Sequence, residues 1–177
     1  RKAGGHIVRL TAQGRRQAEN LKNIYESRHR VTDDTALVAD IHFLPSAAEI
    51  AAEAVDKVRI NPGNYNDAGG ELDALIDKCK ALGRSLRIGV NHGSLSSRMT
   101  ALYGDTPEGM VASAMEFLQR CRENDFDQVV VSMKSSNTRV MVQAYRLLVK
   151  EMDERQMHYP IHLGVTEAGN ALDGRIK

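Results

Sequence analysis

Short runs of β-branched and aliphatic residues alternate along the chain with longer stretches whose apolar positions recur at helical spacing. The runs that read as strands are His6 to Thr11, Ala36 to Phe43, Lys57 to Asn61, Leu86 to Asn91, Gln128 to Lys134 and Pro160 to Thr166. Between them, Leu72, Leu75, Ile76, Cys79 and Leu82 fall on one face of a helix over Glu71 to Leu82. Val111, Ala114, Met115, Leu118 and Cys121 make the stripe of another over Pro107 to Glu123, with Pro107 suited to the first turn. Val140, Met141, Ala144, Leu147 and Leu148 define a third, and Gly14 to Ser27 and Ser46 to Ala54 read as shorter ones. The two cysteines and the methionines on these stripes read as core residues.

Strands joined by helices imply parallel pairing with right-handed crossovers, hence a doubly wound sheet or a β/α barrel. No glycine-rich dinucleotide fingerprint follows the first strand, which argues against the former. Six strand units are countable, against eight in a closed barrel of typically about 250 residues. The expected fold is therefore α/β, a TIM-type (β/α)8 barrel represented by about six of its eight units, with residues 1–177 forming one partial barrel domain.

In such a barrel, chemistry sits at the C-terminal ends of the strands. Every strand end here is polar: Arg9, Thr11 and Gln13; Asp40 and His42; Arg59, Asn61 and Asn64; Arg87, Asn91 and His92; Ser132, Lys134 and Ser135; His162, Thr166 and Glu167. Side chains two apart on a strand share a face, so Arg9 with Thr11, Asp40 with His42, Arg59 with Asn61 and Ser132 with Lys134 can each point into one site. One charged residue in a strand reads as a snorkelling or paired structural group; the recurrence at six ends reads as a site. Four cations, Arg9, Arg59, Arg87 and Lys134, converging on one mouth suit a ligand with several phosphate oxygens, a diphosphate better than a carboxylate. Asp40 and Glu167 then serve as hydroxyl acceptors or proton handlers, and Asn61, Asn91 and His42 as orienting groups. A metal-hydrolase reading from Asp40, His42, His92, His162 and Glu167 is weaker, since the first strand carries no His-X-His and the arginines would repel a divalent cation.

Composition narrows this further. The 177 residues, 42% hydrophobic and 27% charged, are those of an ordinary globular domain. With 24 Lys and Arg against 23 Asp and Glu the net charge is +1, which gives no bulk electrostatic reason for a nucleic-acid or anionic-membrane partner. No apolar run approaches the roughly 20 residues that span a bilayer. Cys79 and Cys121 are too few and too far apart for a disulfide framework or a zinc motif, which favours a reduced compartment. The start at Arg1, without methionine or a signal-type apolar run, suggests a processed or truncated chain.

The segments IVRLTAQG, LVADIHF, KVRINPGN, LRIGVNHGSLS, VVVSMKSSN and IHLGVTEAGN, in this order over nearly the whole chain, resemble the 4-hydroxy-3-methylbut-2-enyl diphosphate synthase family. YGDTPEGMVASAMEFL and MVQAYRLLVKEM look like its longer, three-domain form. The resemblance implies reductive ring opening of 2-C-methyl-D-erythritol 2,4-cyclodiphosphate, in isoprenoid biosynthesis, with two electrons delivered through a 4Fe-4S cluster. It implies that Arg9, Arg59, Arg87 and Lys134 bind the diphosphate, that Asp40, His42, Asn61 and Asn91 position the substrate, and that Glu167 is the acid/base near the reacting carbon. It also implies ferredoxin or flavodoxin as electron donor and a bacterial cytoplasmic location, or the plastid stroma in a plant, with a homodimer left open. The family's first and last barrel strands, the cluster domain and its three cysteines have no counterpart in these residues, so the segment alone is expected to be inactive. Two other classes stay open: a non-catalytic phosphate-ligand barrel, and a metal-free barrel enzyme acting on another phosphorylated or pterin-like substrate.

Overall fold

The computed structural model describes residues 5–28, 35–65, 67 and 69–177. Among them five strands, β1 (Ile7–Ala12), β2 (Ala36–Ile41), β3 (Lys57–Ile60), β4 (Ser85–Asn91) and β5 (Val129–Lys134), form one parallel sheet in sequence order. The crossovers carry α1 (Arg15–Ser27), α2 (Pro45–Ala52), α3 (Glu71–Leu82), α4 (Ser97–Tyr103) and α5 (Pro107–Glu123), while α6 (Thr138–Glu154) and α7 (Ala171–Ile176) follow β5. Sequence order without reversal is the topology of a β/α barrel wall, since a doubly wound sheet reverses direction. The short α4 and α7 lack a long periodic stripe and escape the sequence reading.

Helix boundaries follow local chemistry. Thr106 caps α5 by accepting from the Gly109 N–H at 3.1 Å, with Pro107 in the first turn. Asn137 caps α6 through the N–H of Arg139 at 3.0 Å, and Ser96 caps α4 through that of Met99 at 3.3 Å. Gly83 ends α3 at φ 62°, and the Arg84 N–H returns to the Cys79 carbonyl at 2.8 Å.

Strand register sorts the sheet into two faces. One row across it is Leu10, Ala39, Val58, Leu86 and Val129; the next is Thr11, Asp40, Arg59, Arg87 and Val130. The apolar rows pack on the helices: Ala39, Val58, Ile60, Leu86, Ile88, Val90, Val131 and Met133 are fully buried. Ala47, Ala48, Ala51 and Ala52 are likewise buried, so α2 meets the sheet through methyl groups only. Cys79 and Cys121 lie in this layer, and burial pushes both thiols up to about 12.

The expected sixth strand is the main departure. Pro160 to Thr166 is reduced to one bridge, Ile161 to Val131, held by the Val131 N–H on the Pro160 carbonyl at 2.9 Å and the His162 N–H on the Val131 carbonyl at 2.8 Å. Pro160 has no N–H to give the ladder. Beyond His162 the next backbone tie among the described residues is at Thr166, whose N–H reaches the Ser135 carbonyl at 3.3 Å. The second strand also stops two residues short of Phe43, whose ring is exposed.

Candidate functional site

The face of the sheet turned away from the helices is polar because its odd or even positions are. Reading across, it carries Arg9 and Thr11 of β1, Asp40 of β2, Lys57 and Arg59 of β3, Arg87 and Gly89 of β4, and Ser132 and Lys134 of β5. Barrel interiors are ordinarily filled by branched apolar side chains. Here Asp40, Arg59 and Arg87 occupy that position while no more than 7% exposed.

Asp40 is the counter-ion. Its Oδ1 accepts from Arg59 Nη1 at 2.8 Å, and its Oδ2 lies 3.5 Å from Arg9 Nε. Arg59 continues across β4, donating from Nη2 to the Gly89 carbonyl at 2.9 Å. That path exists because residue 89 is glycine: a Cβ there would stand 2.6 Å from Arg59 Nε. Arg87, two strands from Asp40, donates to the Ser132 hydroxyl from Nε at 3.2 Å and from Nη2 at 3.1 Å. Burial, and then the neighbouring Arg59 and Arg9, bring Arg87 down to about 10. Burial lowers Lys134 as well, helped by Arg87, Arg9 and Arg59. The four cations are thus close enough to repel one another.

Two further groups belong to this face: Lys57, absent from the sequence-based site, and Ser132, expected there only as the strand partner of Lys134 and without a role. Lys57 is lowered by burial and then by Arg87. Ser132, 1% exposed, orients Arg87. Inward parity was the available signal for Lys57, which stands at the start of its strand rather than at the C-terminal end where the chemistry was sought.

The loops above the strands are laced together. Asn61, 3% exposed, donates from Nδ2 to Ser94 Oγ at 3.0 Å and accepts the Gly63 N–H at 3.1 Å. A Cβ on Gly63 would lie 1.6 Å from the Ser94 carbonyl oxygen, so the loops after β3 and β4 touch backbone to backbone. The Asn91 Oδ1 is buried without a hydrogen-bond partner, an acceptor left unfilled beside the cations' strand ends. His42 is half-buried, its ring 5.8 Å from that of Phe43. His92 reaches the loop between α4 and α5 instead, 3.6 Å from Asp105, which also accepts the Gly93 N–H at 3.0 Å. His162 faces the cations, and burial together with Arg87, Lys134, Lys57 and Arg9 holds it below the usual 6.5.

Glu167 is not brought into this group. It is exposed, at φ 52° in the left-handed region, and lines a separate hollow of about 290 Å³ with Gly169, Asp173 and Lys177. No group of three or more His, Cys, Asp or Glu placed to hold a metal occurs among the described residues. With their raised thiols on helix-packing faces, Cys79 and Cys121 do not fit as ligands of an iron–sulfur cluster.

Fold and site together define the class: part of a β/α-barrel wall whose inner face is lined by cations and can engage an anion with several oxygens. Residues 1–177 match the family model of the GcpE TIM-barrel domain, and the chain belongs to that family. The chain is 55% identical to 4-hydroxy-3-methylbut-2-en-1-yl diphosphate synthase (flavodoxin) of Parabacteroides distasonis, over 99% of this chain and 32% of the relative. It is 53% identical to the proteins of the same name from Porphyromonas gingivalis, covering 33% of that relative, and Phocaeicola vulgatus, covering 32%, in each case over 99% of this chain. The chain thus spans about a third of the length of these curated relatives.

Proposed function

We propose that this chain supplies the diphosphate-binding part of a 4-hydroxy-3-methylbut-2-en-1-yl diphosphate synthase, which reductively opens the ring of 2-C-methyl-D-erythritol 2,4-cyclodiphosphate. The observation that carries this reading is the grouping of Arg59 and Arg87, both buried, with Arg9 and Lys134 around one carboxylate among the described residues, Asp40. Burying this much like charge is costly, and an anion with several oxygens offsets it.

In this reading Arg9, Arg59, Arg87 and Lys134 hold the diphosphate, while Asp40, His42, Asn61 and Asn91 orient the carbon skeleton. The unfilled Asn91 acceptor suits a substrate hydroxyl. Glu167 handles a proton at the reacting carbon, which requires its loop to swing toward the cations once substrate is bound; its left-handed backbone and exposure are compatible with such a hinge. The 4Fe-4S cluster implied by the resemblance is held by residues outside this segment, and the relatives' names favour flavodoxin as the electron donor. The setting is a bacterial cytoplasm. Among the described residues no helix is long and apolar enough to cross a membrane.

The test is substitution in the full-length protein. Lys134→Ala and Glu167→Ala should each lower turnover by at least about a hundredfold while leaving the cluster's absorbance unchanged. Near-normal turnover in both would overturn the assignment.

A further inference from the structure

Resting on the anion-binding reading above, the geometry points to Ser132 and Gly89 as positioning residues that hold the guanidiniums of Arg87 and Arg59 at a fixed spacing for a diphosphate. The two arginines are anchored in different ways. Arg59 has a carboxylate, Asp40, and a backbone carbonyl, that of Gly89. Arg87 has no carboxylate within ion-pair distance among the described residues; its anchor is the neutral Ser132 hydroxyl, gripped at 3.2 and 3.1 Å by two N–H groups.

The difference matters chemically. A carboxylate in place of Ser132 would compensate Arg87 and compete with a phosphate for the same N–H groups. A hydroxyl orients the guanidinium and leaves its charge available. The oxygen of a serine has two lone pairs, and Arg87 takes both, so the Ser132 acceptor is committed to holding that guanidinium. Ser132 and Arg87 are both buried, at 1% and 4% exposed, and the two hydrogen bonds between them hold the guanidinium against the repulsion of Arg59 and Arg9.

Gly89 sets the other side of the spacing. It stands opposite Ser132 in the register of β4 and β5. A Cβ on it would meet Arg59 Nε at 2.6 Å and Ser132 Oγ at 3.2 Å, so a side chain would displace the Arg59 guanidinium and press on the hydroxyl that seats Arg87. The pair joins residues 30 and 45 positions apart into one unit.

The experiment is calorimetric titration of the full-length protein with inorganic pyrophosphate as the probe, beside thermal melting of each variant. Arg87→Ala serves as the control on the anion site. Ser132→Ala should weaken pyrophosphate binding about tenfold, the loss of a charge-assisted hydrogen bond, in a protein that still melts in one cooperative transition. Ser132→Thr, which keeps the oxygen, should bind within about threefold of the parent. Gly89→Ala should weaken binding at least as much as Ser132→Ala; where its melting shows misfolding, the serine pair decides. If Arg87→Ala abolishes binding while Ser132→Ala stays within twofold of the parent, the positioning role is overturned and the anion site stands. Equal loss in Ser132→Ala and Ser132→Thr assigns Ser132 to packing and likewise overturns it. If Arg87→Ala binds as the parent does, the anion-binding reading fails and this inference with it.

Discussion

Asp40 holds two guanidiniums at once, one buried and one half-exposed. Removing it strands Arg59, whose Nε already lacks a partner, as a buried charge with only the Gly89 carbonyl. Breaking a buried pair on one side typically costs about 3–5 kcal/mol. Asp40→Ala should therefore lower unfolding free energy by about 3 kcal/mol in urea titrations, and a loss under about 1 kcal/mol would contradict the pairing. His162 gives a pH signature at the same scale. Burial and the four nearby cations depress it below 6.5, so the folded state binds fewer protons than the unfolded chain in that range. Its stabilising contribution is complete above about pH 6.5, is lost as pH falls toward the depressed value, and levels off below it. His162→Gln should flatten that part of the stability curve. The His162 ring resonance should titrate below 6.5 and move up when pyrophosphate is added.

Elements differ in how well local patterning specifies them. Strands β2 to β4 pair on both sides and read clearly from their β-branched and aliphatic runs, as does β5, whose far side carries only the bridge to Ile161. The sixth did not form a ladder although its composition suits a strand, because Pro160 cannot donate and pairing on its far side is lacking among the described residues. The loops after β3 and β4 behave as one element through Gly63 and Ser94. Gly63→Ala should destabilise the protein by about 2 kcal/mol or more, because backbone rather than a flexible side chain must give way. Asn137→Ala, which removes only the cap of α6, should cost about 1 kcal/mol. Chemical denaturation of the two variants side by side checks the ranking.

At the scale of the molecule, a net charge of +1 hides a strong separation. The acidic residues Glu53, Asp56, Asp73 and Glu116 pair with Lys78, Arg28, Arg120 and Arg98 outside the sheet's inner face, leaving that face cationic. Inorganic pyrophosphate should raise the melting temperature of the full-length protein, and added salt should reduce the shift. The two thiols offer an independent check on the core. Pushed up to about 12, Cys79 and Cys121 should resist iodoacetamide near about pH 8 in the folded protein and react once guanidinium unfolds it, as read by mass spectrometry.

The alternation of β1 to β5 with the longer helices, the apolar face of each strand and four of the five inward cations follow from the sequence by itself, because period-2 and period-3.6 patterns are local properties of the chain. The partners were decided only by the tertiary structure. That Asp40 bridges Arg9 and Arg59, that Ser132 rather than a carboxylate seats Arg87, and that Gly89 leaves room between them depend on the register of strands separated by whole crossover helices. Lys57 joined the cations and Glu167 stood apart from them for the same reason: parity along a strand says which face a side chain takes, and only the packing of the sheet and its loops says what it meets there.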